Sequence, residues 1–434
     1  MDEELRVVPT IATTASIIKI IGVGGGGGNA VGQMYTEGIP DVRFLVCNTD
    51  SKALEDAVVP DKLQLGPGLG AGGRPEIGRE YAEENLDKID RIFDKDVKMV
   101  FITAGMGGGT GTGASPVIAR EARKRGILTI GVVTIPFIFE RERQIDKALN
   151  GLDLLSKEVD ALLVINNQRL LDIHANISVI DAFKKADETL TNAVRSIVEI
   201  ISMHGKVNLD FRDVNNVLRN GGVAIMSSGE GEGDCRVTKA IENALYSPLV
   251  NNNDIYRSRR LIISITTSSD PAYTLRMEEF REIEDFTSRF HCDIETKWGL
   301  VADDSMGKRI KITLLASGFN LYAGKEEKQS TAERVQDDYE REKRRRNYYT
   351  EMEKGKDGKK KRLRRHPRIF LYSLDNLDNE QLTAAIEETP TARRSYEDLS
   401  ALFAMSVHDG PQAETAPAHD SQDGETTRTI RFDS

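Results

Sequence analysis

Cysteines are few in this sequence, and long apolar runs are missing. Its three cysteines, Cys47, Cys235 and Cys292, lie far apart in no metal-ligand spacing, which is typical of reduced thiols in a cytoplasmic protein. The longest uncharged apolar stretch, 126–139, has 14 residues and contains Pro136, so it is too short to span a bilayer. The start, MDEEL, lacks the basic region of a signal peptide. These absences predict a soluble protein without a transmembrane segment.

A Walker-type phosphate loop is also missing, since GxxxxGK[ST] occurs nowhere. The chain instead has two glycine-rich segments, each following a short apolar strand and opening a helix. The first, 24–29, follows residues 17–23, and the second, 107–113, follows residues 100–103. Glycine lets backbone N–H groups approach phosphate oxygens, and a helix N-terminus adds partial positive charge. Two such segments predict a nucleotide held along its whole phosphate tail.

The first glycine run also fits two other interpretations. Five glycines alone are typical of a flexible linker, but the apolar strand before them and the amphipathic residues 30–35 behind them disfavour it. Gly22, Gly24 and Gly27 also match the dinucleotide fingerprint, with Asp50 near the position of a ribose-binding acid. A Rossmann oxidoreductase therefore stays open as an alternative, although such an enzyme does not need the second glycine-rich segment.

Charge is distributed unevenly along the chain. The 434 residues, 39% of them hydrophobic, are enough for two or three domains, and the formal net charge is −10. Residues 343–368 carry thirteen Lys and Arg against three acids, whereas residues 369–434 carry thirteen acids against four Arg. The acidic remainder argues against a body that binds nucleic acid. Binding through 343–368, which would show steep salt dependence, stays as a lesser alternative.

Strand-like and helical patterns alternate from residue 17 to residue 167, which predicts an α/β fold with a doubly wound, mainly parallel sheet. The strand-like runs are 17–23, 43–48, 99–103, 128–133 and 161–165, followed by a long helix from Ser178 to Gly205, a short helix at 211–219, and strand candidates at 261–266, 291–296 and 310–316. The predicted organisation is a flexible segment 1–15, a nucleotide-binding domain 16–177, a central helix and loop 178–220, a smaller α+β domain 221–320, and a largely disordered charged linker and acidic tail 321–434.

The sequence GGGTGTG at 107–113, followed by NLDFRDV at 208–214, resembles the tubulin/FtsZ superfamily of GTPases over roughly residues 17–319. The resemblance implies GTP or GDP as ligand, with Mg²⁺ held mainly by the phosphates and no residue assigned to the metal. The residues that it assigns to the phosphates are Gly25, Gly26, Gly27, Gly28, Asn29, Gly107, Gly108, Gly109, Thr110, Gly111 and Thr112. By the same resemblance, segments 48–50 and 68–73 are expected to be the remaining phosphate-side loops. The resemblance also implies that Glu140, Arg143 and Asn167 lie near the ribose, and Phe183 and Asp187 near the base.

The assignments at the base agree with the chemistry of guanine. A carboxylate at Asp187 can accept hydrogen bonds from the ring N–H and the exocyclic amine of guanine, whereas adenine offers no such pair of donors. Phe183 lies one helical turn earlier on the same face and could stack on the ring. An ordinary core position remains the alternative for Phe183, and a solvated helix acid the alternative for Asp187.

Asn208, Asp210 and Asp213 are the candidate catalytic residues, which would position and polarise the attacking water. Asp187 lies about 18 residues before Gly205, which is roughly 27 Å along a helix axis, so one molecule cannot bring both groups to its own nucleotide. If they act together, subunits must stack head to tail, and such a heterologous contact builds a filament. The resemblance implies the same arrangement. Acids at a helix start are also favoured by the free N–H groups and the helix dipole, so a purely structural role stays open.

Some positions depart from the superfamily pattern. Ile135 stands where a basic residue is common, Gln168 where an acid often occurs and Gly28 where an asparagine is common, and the stretch 139–144 is one residue short. At the C-terminus, 429–434 and 369–382 are two candidate recognition segments. By resemblance, the protein polymerises as a scaffold of bacterial cell division at mid-cell, and its tail binds membrane-anchoring and regulatory division proteins.

Overall fold

The computed structural model describes residues 16–173, 177–203, 205–246, 255–290, 294–319 and Ala385. The expectations for 1–15 and for almost all of 321–434 lie outside this part of the chain. The strands are β1 Ile18–Val23, β2 Val42–Asn48, β3 Lys62–Gln64, β4 Met99–Gly105, β5 Leu128–Ile135, β6 Ala161–Asn166, β7 Gly222–Gly231, β8 Arg260–Thr267, β9 Glu295–Ala302 and β10 Ile310–Phe319. The helices are α1 Gly24–Glu37, α2 Ser51–Glu55, α3 Pro75–Glu84, α4 Leu86–Arg91, α5 Thr110–Lys124, α6 Glu142–Glu158, α7 Asn167–Ile173, α8 Val179–Ser202, α9 Phe211–Leu218, α10 Arg236–Leu245 and α11 Met277–Thr287.

One hydrogen-bonded sheet contains all ten of these strands, in the order β3-β2-β1-β4-β5-β6-β7-β10-β8-β9. The strands from β3 to β7 are parallel, and β10 runs antiparallel to both β7 and β8. Only two residue pairs, Ala161–Gly222 and Leu162–Val223, join β6 to β7. The predicted doubly wound, mainly parallel sheet is therefore confirmed, and the join between its two halves is narrow.

Helices cover both faces of the nucleotide-side sheet because its strands are apolar on both sides. In β1, Ile18 and Ile20 belong to one core cluster, which includes α1, α8 and α9, whereas Ile21 and Val23 belong to the other, which includes α5 and α6. This alternation follows from the two-residue period of a strand. A near-continuous apolar run is what a strand buried on both faces requires.

The central helix agrees with its prediction. Helix α8 begins after Ser178, whose Oγ accepts a hydrogen bond from the N–H of Asp181 at 3.1 Å. The helix has 24 residues and ends at Ser202. Among the described residues, no helix combines the length and apolar character needed to cross a membrane.

Two strands of the second half differ from the sequence-based expectation. Strand β7 was not predicted because it contains three glycines, but Cβ atoms at Gly229 and Gly231 would lie 2.2 Å and 1.9 Å from carbonyl oxygens of α10. The glycines let α10 pack directly on the strand. The strand predicted at 291–296 begins only at Glu295, and residues 291–293 lie outside the described part of the chain. As an edge strand with an exposed first half, β9 lacks the apolar pattern that would identify it.

Candidate functional site

The candidate site lies where the parallel strands β1, β4, β5 and β6 end. Because their carboxyl ends meet at one edge of the sheet, the segments that follow them converge there. These segments are the first glycine run after β1, the second after β4, residues 136–141 after β5 and Asn167 after β6.

The five glycines after β1 form the first turn of α1 and not a separate loop, since the helix begins at Gly24. They play two different roles. A Cβ on Gly27 would lie 2.2 Å from the carbonyl oxygen of Thr103, and one on Gly24, whose φ is +74°, would lie 2.8 Å from the nitrogen of Gly111. A Cβ on Gly25 or Gly28 would meet no atom within 4 Å. Gly24 and Gly27 therefore let the backbone of α1 touch the backbones at Gly111 and Thr103, whereas Gly25 and Gly28 border open space near the N-terminus of α1.

The second glycine-rich segment is held in place by its neighbours. Gly107 has a φ of +102°, and its N–H donates to Thr112 Oγ1 at 2.8 Å. A Cβ on Gly109 would lie 2.8 Å from that of Ala71, whereas one on Gly108 would meet nothing within 4 Å. Helix α5 begins at Thr110, so the first N–H groups of this helix have no partner within it. The segment therefore offers fixed donors beside an open space.

The two remaining predicted phosphate-side segments, 48–50 and 68–73, join this arrangement. Thr49 Oγ1 lies 2.6 Å from Thr110 Oγ1, and the Thr49 carbonyl accepts from the N–H of Gly70 at 2.9 Å. Lys147 Nζ on α6 donates to the carbonyl of Gly73 at 2.6 Å. The contact from Lys147 was not predicted, because nothing in its sequence neighbourhood marks it.

A cavity of about 520 Å³ runs beside α1. Gly25, Gly28 and Asn29 line it together with Asn48. It continues along α1 to Thr36 and across to residues 53, 54 and 56–58. It thus shares the first glycine segment with the predicted site. The second glycine segment, Asn167, Phe183 and Asp187 do not line it.

Polar side chains at the ends of β5 and β6 differ in how well they are hydrogen-bonded. Asn167 is 5% exposed, and its Oδ1 has no hydrogen-bond partner among the described residues, an arrangement that costs free energy unless a ligand supplies a donor. The carboxylate of Glu140 accepts from the N–H of Phe137 at 3.0 Å, and burial raises its pKa. Gln168 Oε1 accepts from the N–H of Ile138 at 3.0 Å. Arg143 is exposed.

Phe183 and Asp187 lie near the start of α8. Phe183 is 44% exposed and packs edge-on against buried Phe137, with ring centroids 5.2 Å apart, so an ordinary core position is wrong for this side chain. Phe139 stacks on the same Phe137 at 5.0 Å. Burial raises the pKa of Asp187 to about 7. Its half-buried carboxylate accepts no hydrogen bond from any described residue.

The three candidate catalytic residues lie beyond the other end of α8. Asp210 caps α9 by accepting from the N–H groups of Arg212 and Asp213 at 2.8 Å and 3.0 Å, and the Asp213 carboxylate accepts from the N–H of Asp210 at 3.2 Å. Asn208 Oδ1 accepts from the N–H of Gly205 at 2.7 Å. The capping role considered for the acids is therefore present, and it fixes their orientation. A second role toward a ligand of another molecule is compatible with it.

Family models match three parts of the chain. The model described as "Tubulin/FtsZ family, GTPase domain" matches residues 17–175, "FtsZ family, C-terminal domain" matches 222–320, and "FtsZ, C-terminal" matches 364–407. The last match falls in the tail that was interpreted as largely disordered, which lies outside the described residues except for Ala385.

Relatives and solved structures agree with these matches. The chain is 45% identical over 428 residues to the cell division protein FtsZ of Porphyromonas gingivalis, covering 92% of this chain and 90% of the relative. It is 44% identical over 307 residues to the cell division protein FtsZ of Aquifex aeolicus, and the match covers 70% of this chain and 83% of the relative. An empty FtsZ dimer of M. jannaschii matches with a TM-score of 0.64 at 35% identity, and the match covers 73% of this chain and 96% of that structure's chain. The fold is shared by CetZ2 of Haloferax volcanii, which is 20% identical and matches with a TM-score of 0.62. This match covers 78% of this chain and 99% of CetZ2.

Proposed function

The chain belongs to the FtsZ branch of the tubulin/FtsZ family, and we propose from this premise which of its residues bind GTP and hydrolyse it. It is a GTP-binding, GTP-hydrolysing cytoskeletal protein of cell division. Its activity requires a phosphate cradle, a guanine-reading group and groups that act on the γ-phosphate. Each can be assigned to named residues.

The phosphates bind at the carboxyl edge of the sheet, along the N-termini of α1 and α5. The observation that carries this assignment is the open space at Gly25, Gly28 and Gly108, beside glycines that fix the backbone by close packing. Helix N-termini present N–H groups and partial positive charge to an anion. Mg²⁺, coordinated mainly by phosphate oxygens, would offset the charge that accumulates during phosphoryl transfer.

Guanine is read by Asp187, with Phe183 against the ring and Asn167 at the ribose side. Burial of part of the Asp187 side chain makes its unpaired carboxylate unfavourable in the empty protein, and two guanine donors would satisfy it. The unpaired Oδ1 of buried Asn167 supports the same conclusion, since it also needs a donor. The exposed part of the Phe183 ring leaves an aromatic surface for stacking. Glu140 and Arg143 complete the ribose end.

Hydrolysis takes place between two subunits. Asp187 lies 15 residues before the end of α8 at Ser202, which is roughly 23 Å along the helix axis. Asp210 and Asp213 lie beyond that end, so they act on the nucleotide of the next subunit together with Asn208. The capping hydrogen bonds hold the two acids in one orientation, which suits groups that must position a water molecule in line with the γ-phosphate. A head-to-tail contact of this kind repeats into a filament.

The tail connects the filament to other components of division. We assign binding of membrane-anchoring and regulatory proteins to the region 364–434, and we place the polymer in the cytoplasm at the division site. The "FtsZ, C-terminal" match at 364–407 supports recognition by this region, which includes the apolar segment 369–382.

Sedimentation and dilution test the proposal together. We expect the protein to pellet with GTP and to remain in solution with GDP or without nucleotide. The hydrolysis rate per molecule should fall toward zero on dilution to concentrations at which no filament forms. A rate per molecule that is independent of concentration would exclude a site shared between subunits, and NADH binding without GTP binding would favour the oxidoreductase alternative.

A further inference from the structure

A buried carboxylate lies at the edge of the sheet opposite the glycine segments. Asp160 precedes β6 and is 1% exposed. Its Oδ2 accepts from the N–H of Thr129 at 3.0 Å and from the Arg219 guanidinium at 3.1 Å. Its Oδ1 accepts from the N–H of Asn220 at 3.4 Å and lies 3.7 Å from Nε of Arg123. A buried charge is tolerated when it is paired in this way.

Arg219 connects this carboxylate to the end of α9. It follows the last residue of the helix, and its guanidinium donates to Asn215 Oδ1 within the helix and to the carbonyl of Gly126 before β5, both at 3.1 Å. The planar guanidinium thus binds the helix, Asp160 and the start of β5 at the same time. Lysine could not reproduce several contacts in one plane.

The second half of the sheet holds the same helix end from the other side. Arg260, at the start of β8, donates to the carbonyls of Asn216 and Arg219 at 3.1 Å each. Val214, Val217 and Leu218 bury the apolar face of α9. The C-terminal end of α9 is therefore fixed to both halves of the sheet, across the join where only two residue pairs link β6 to β7.

The other end of α9 carries Asp210 and Asp213. A helix of eight residues is rigid and about 12 Å long, so a change of angle at Arg219 moves the acid pair. We propose that Arg219, bound to Asp160, is a positioning residue for hydrolysis: it holds α9 so that the acid pair faces the nucleotide of the adjoining subunit. This inference rests on the proposed function of a site shared between subunits.

Three substitutions test the pair. Arg219→Met removes the guanidinium at similar length, Asp160→Asn removes the charge and keeps an acceptor for Thr129, and Arg219→Lys restores the charge alone. We expect GTP affinity to stay within about twofold of wild type, because the phosphate segments lie at the opposite edge. We expect kcat at saturating GTP to fall at least about tenfold in the first two variants, since a misplacement of about 1 Å can cost about a hundredfold. Lysine should recover part of the loss.

The double variant distinguishes a specific pair from general destabilisation. If the two residues act through one contact, Asp160→Asn combined with Arg219→Met should lose no more activity than the worse single variant. If the two defects were independent, the fold-losses of activity of the single variants would multiply in the double variant. An unchanged kcat in Arg219→Met, or a loss of GTP binding equal to the loss of kcat, would overturn the proposal.

Mixing experiments locate the defect in α9. Gly108→Asp puts a carboxylate in the phosphate space without a steric clash and leaves the acid loop intact. Mixed with Arg219→Met, it should restore GTPase activity, because the joint between an intact pocket and an intact α9 is then complete. Mixed with Asp210→Ala, Arg219→Met should show no more than its own residual activity, since neither subunit supplies a correctly placed acid loop.

The pair Gly108→Asp with Asp210→Ala is the control for the proposed function itself. If this pair recovers activity and the mixture with Arg219→Met does not, the positioning role is wrong while the shared site stands. If the control pair fails as well, the shared site and the positioning role are both overturned.

Discussion

The hydroxyl oxygens of Thr49 and Thr110 lie 2.6 Å apart, although 61 residues separate them in the sequence. Thr49 is fully buried after β2, and Thr110 begins α5. This bond joins two of the segments assigned to the phosphates and fixes their spacing before nucleotide binds.

Thr49→Val should therefore weaken both folding and nucleotide binding. The substitution keeps the shape and leaves the Thr110 hydroxyl without its partner, which costs about 1–3 kcal/mol of unfolding free energy. Urea denaturation of the nucleotide-free protein measures this loss of unfolding free energy. Thr287→Val is the matched control, because the Thr287 hydroxyl bonds only a carbonyl of its own helix at an exposed position. Equal stability of the two variants would contradict the prediction.

Gly25→Ala and Gly27→Ala should behave differently, although the two residues are nearly adjacent in α1. A Cβ on Gly27 would overlap the carbonyl of Thr103, so this variant should lose several kcal/mol or fail to fold. A Cβ on Gly25 meets no atom, and alanine is about 0.5–1 kcal/mol more favourable than glycine within a helix. Gly25→Ala should thus fold at least as well as wild type and lose only nucleotide affinity, as measured by thermal melting with and without GTP. Equal melting temperatures for both variants would show that the contact at Gly27 is not tight.

The pH dependence of guanine binding should follow Asp187. Burial raises its pKa to about 7 from an ordinary value of 3.8, so the empty folded protein favours the protonated carboxyl below about pH 7. The stability that the protonated Asp187 carboxyl gives the folded protein is complete below about pH 3.8 and is lost as the pH rises through about 7. Relative to Asp187→Asn, the empty wild type should therefore become less stable between pH 4 and pH 7.

GTP binding should change in the opposite direction, because the ionised carboxylate accepts the guanine donors. Below pH 7, GTP affinity should fall by up to about tenfold per pH unit. The ratio of wild-type affinity to that of Asp187→Asn measures this, since titration of the nucleotide phosphates cancels in the ratio. Asp187→Ala should also lose the preference for GTP over ATP. A constant ratio between pH 5.5 and 7.5, or equal affinity of the wild type for ATP and GTP, would reject Asp187 as the guanine-reading group.

Asp210→Asn separates catalysis from capping. Asparagine caps a helix about as well as aspartate, so the variant should keep its stability while hydrolysis falls by orders of magnitude because the charge is lost. Asp210→Ala removes the cap too and should lose about 1 kcal/mol more. Denaturation and steady-state GTPase assays of the two variants check this. Wild-type hydrolysis by Asp210→Asn would leave capping as the role of this residue.

Deletion of the basic segment 343–368 should leave GTP binding unchanged and alter filament bundling or membrane association. Both depend on charge within a Debye length of about 8–10 Å. A replacement segment of equal length with neutral residues controls for spacing, and light scattering reports bundling. Loss of GTP binding would show that the segment belongs to the folded body.

The local sequence was sufficient to predict most strands of the sheet and the central helix. Apolar runs of β-branched residues identified the parallel strands β1, β2, β4, β5 and β6, and Ser178 with Asp181 identified the start of α8, because these signals arise within a few residues. Strand β7 was not predicted, because its glycines are explained only by the close packing of α10. Strand β9 was misplaced, because its exposed residues are explained only by its position at the edge of the sheet.

The order of residues along the chain was enough to place glycines after β1 and β4, Asp187 and Phe183 on one face of α8, and Asp210 before a helix. The packing of Gly27 against Thr103, with Gly25 beside open space, follows from the fold, because chain segments far apart in sequence meet there. The fold also desolvates Asp187, brings Lys147 to Gly73 and pairs Arg219 with Asp160. Burial and long-range pairing are properties of the packed chain, and no local pattern of residues encodes them.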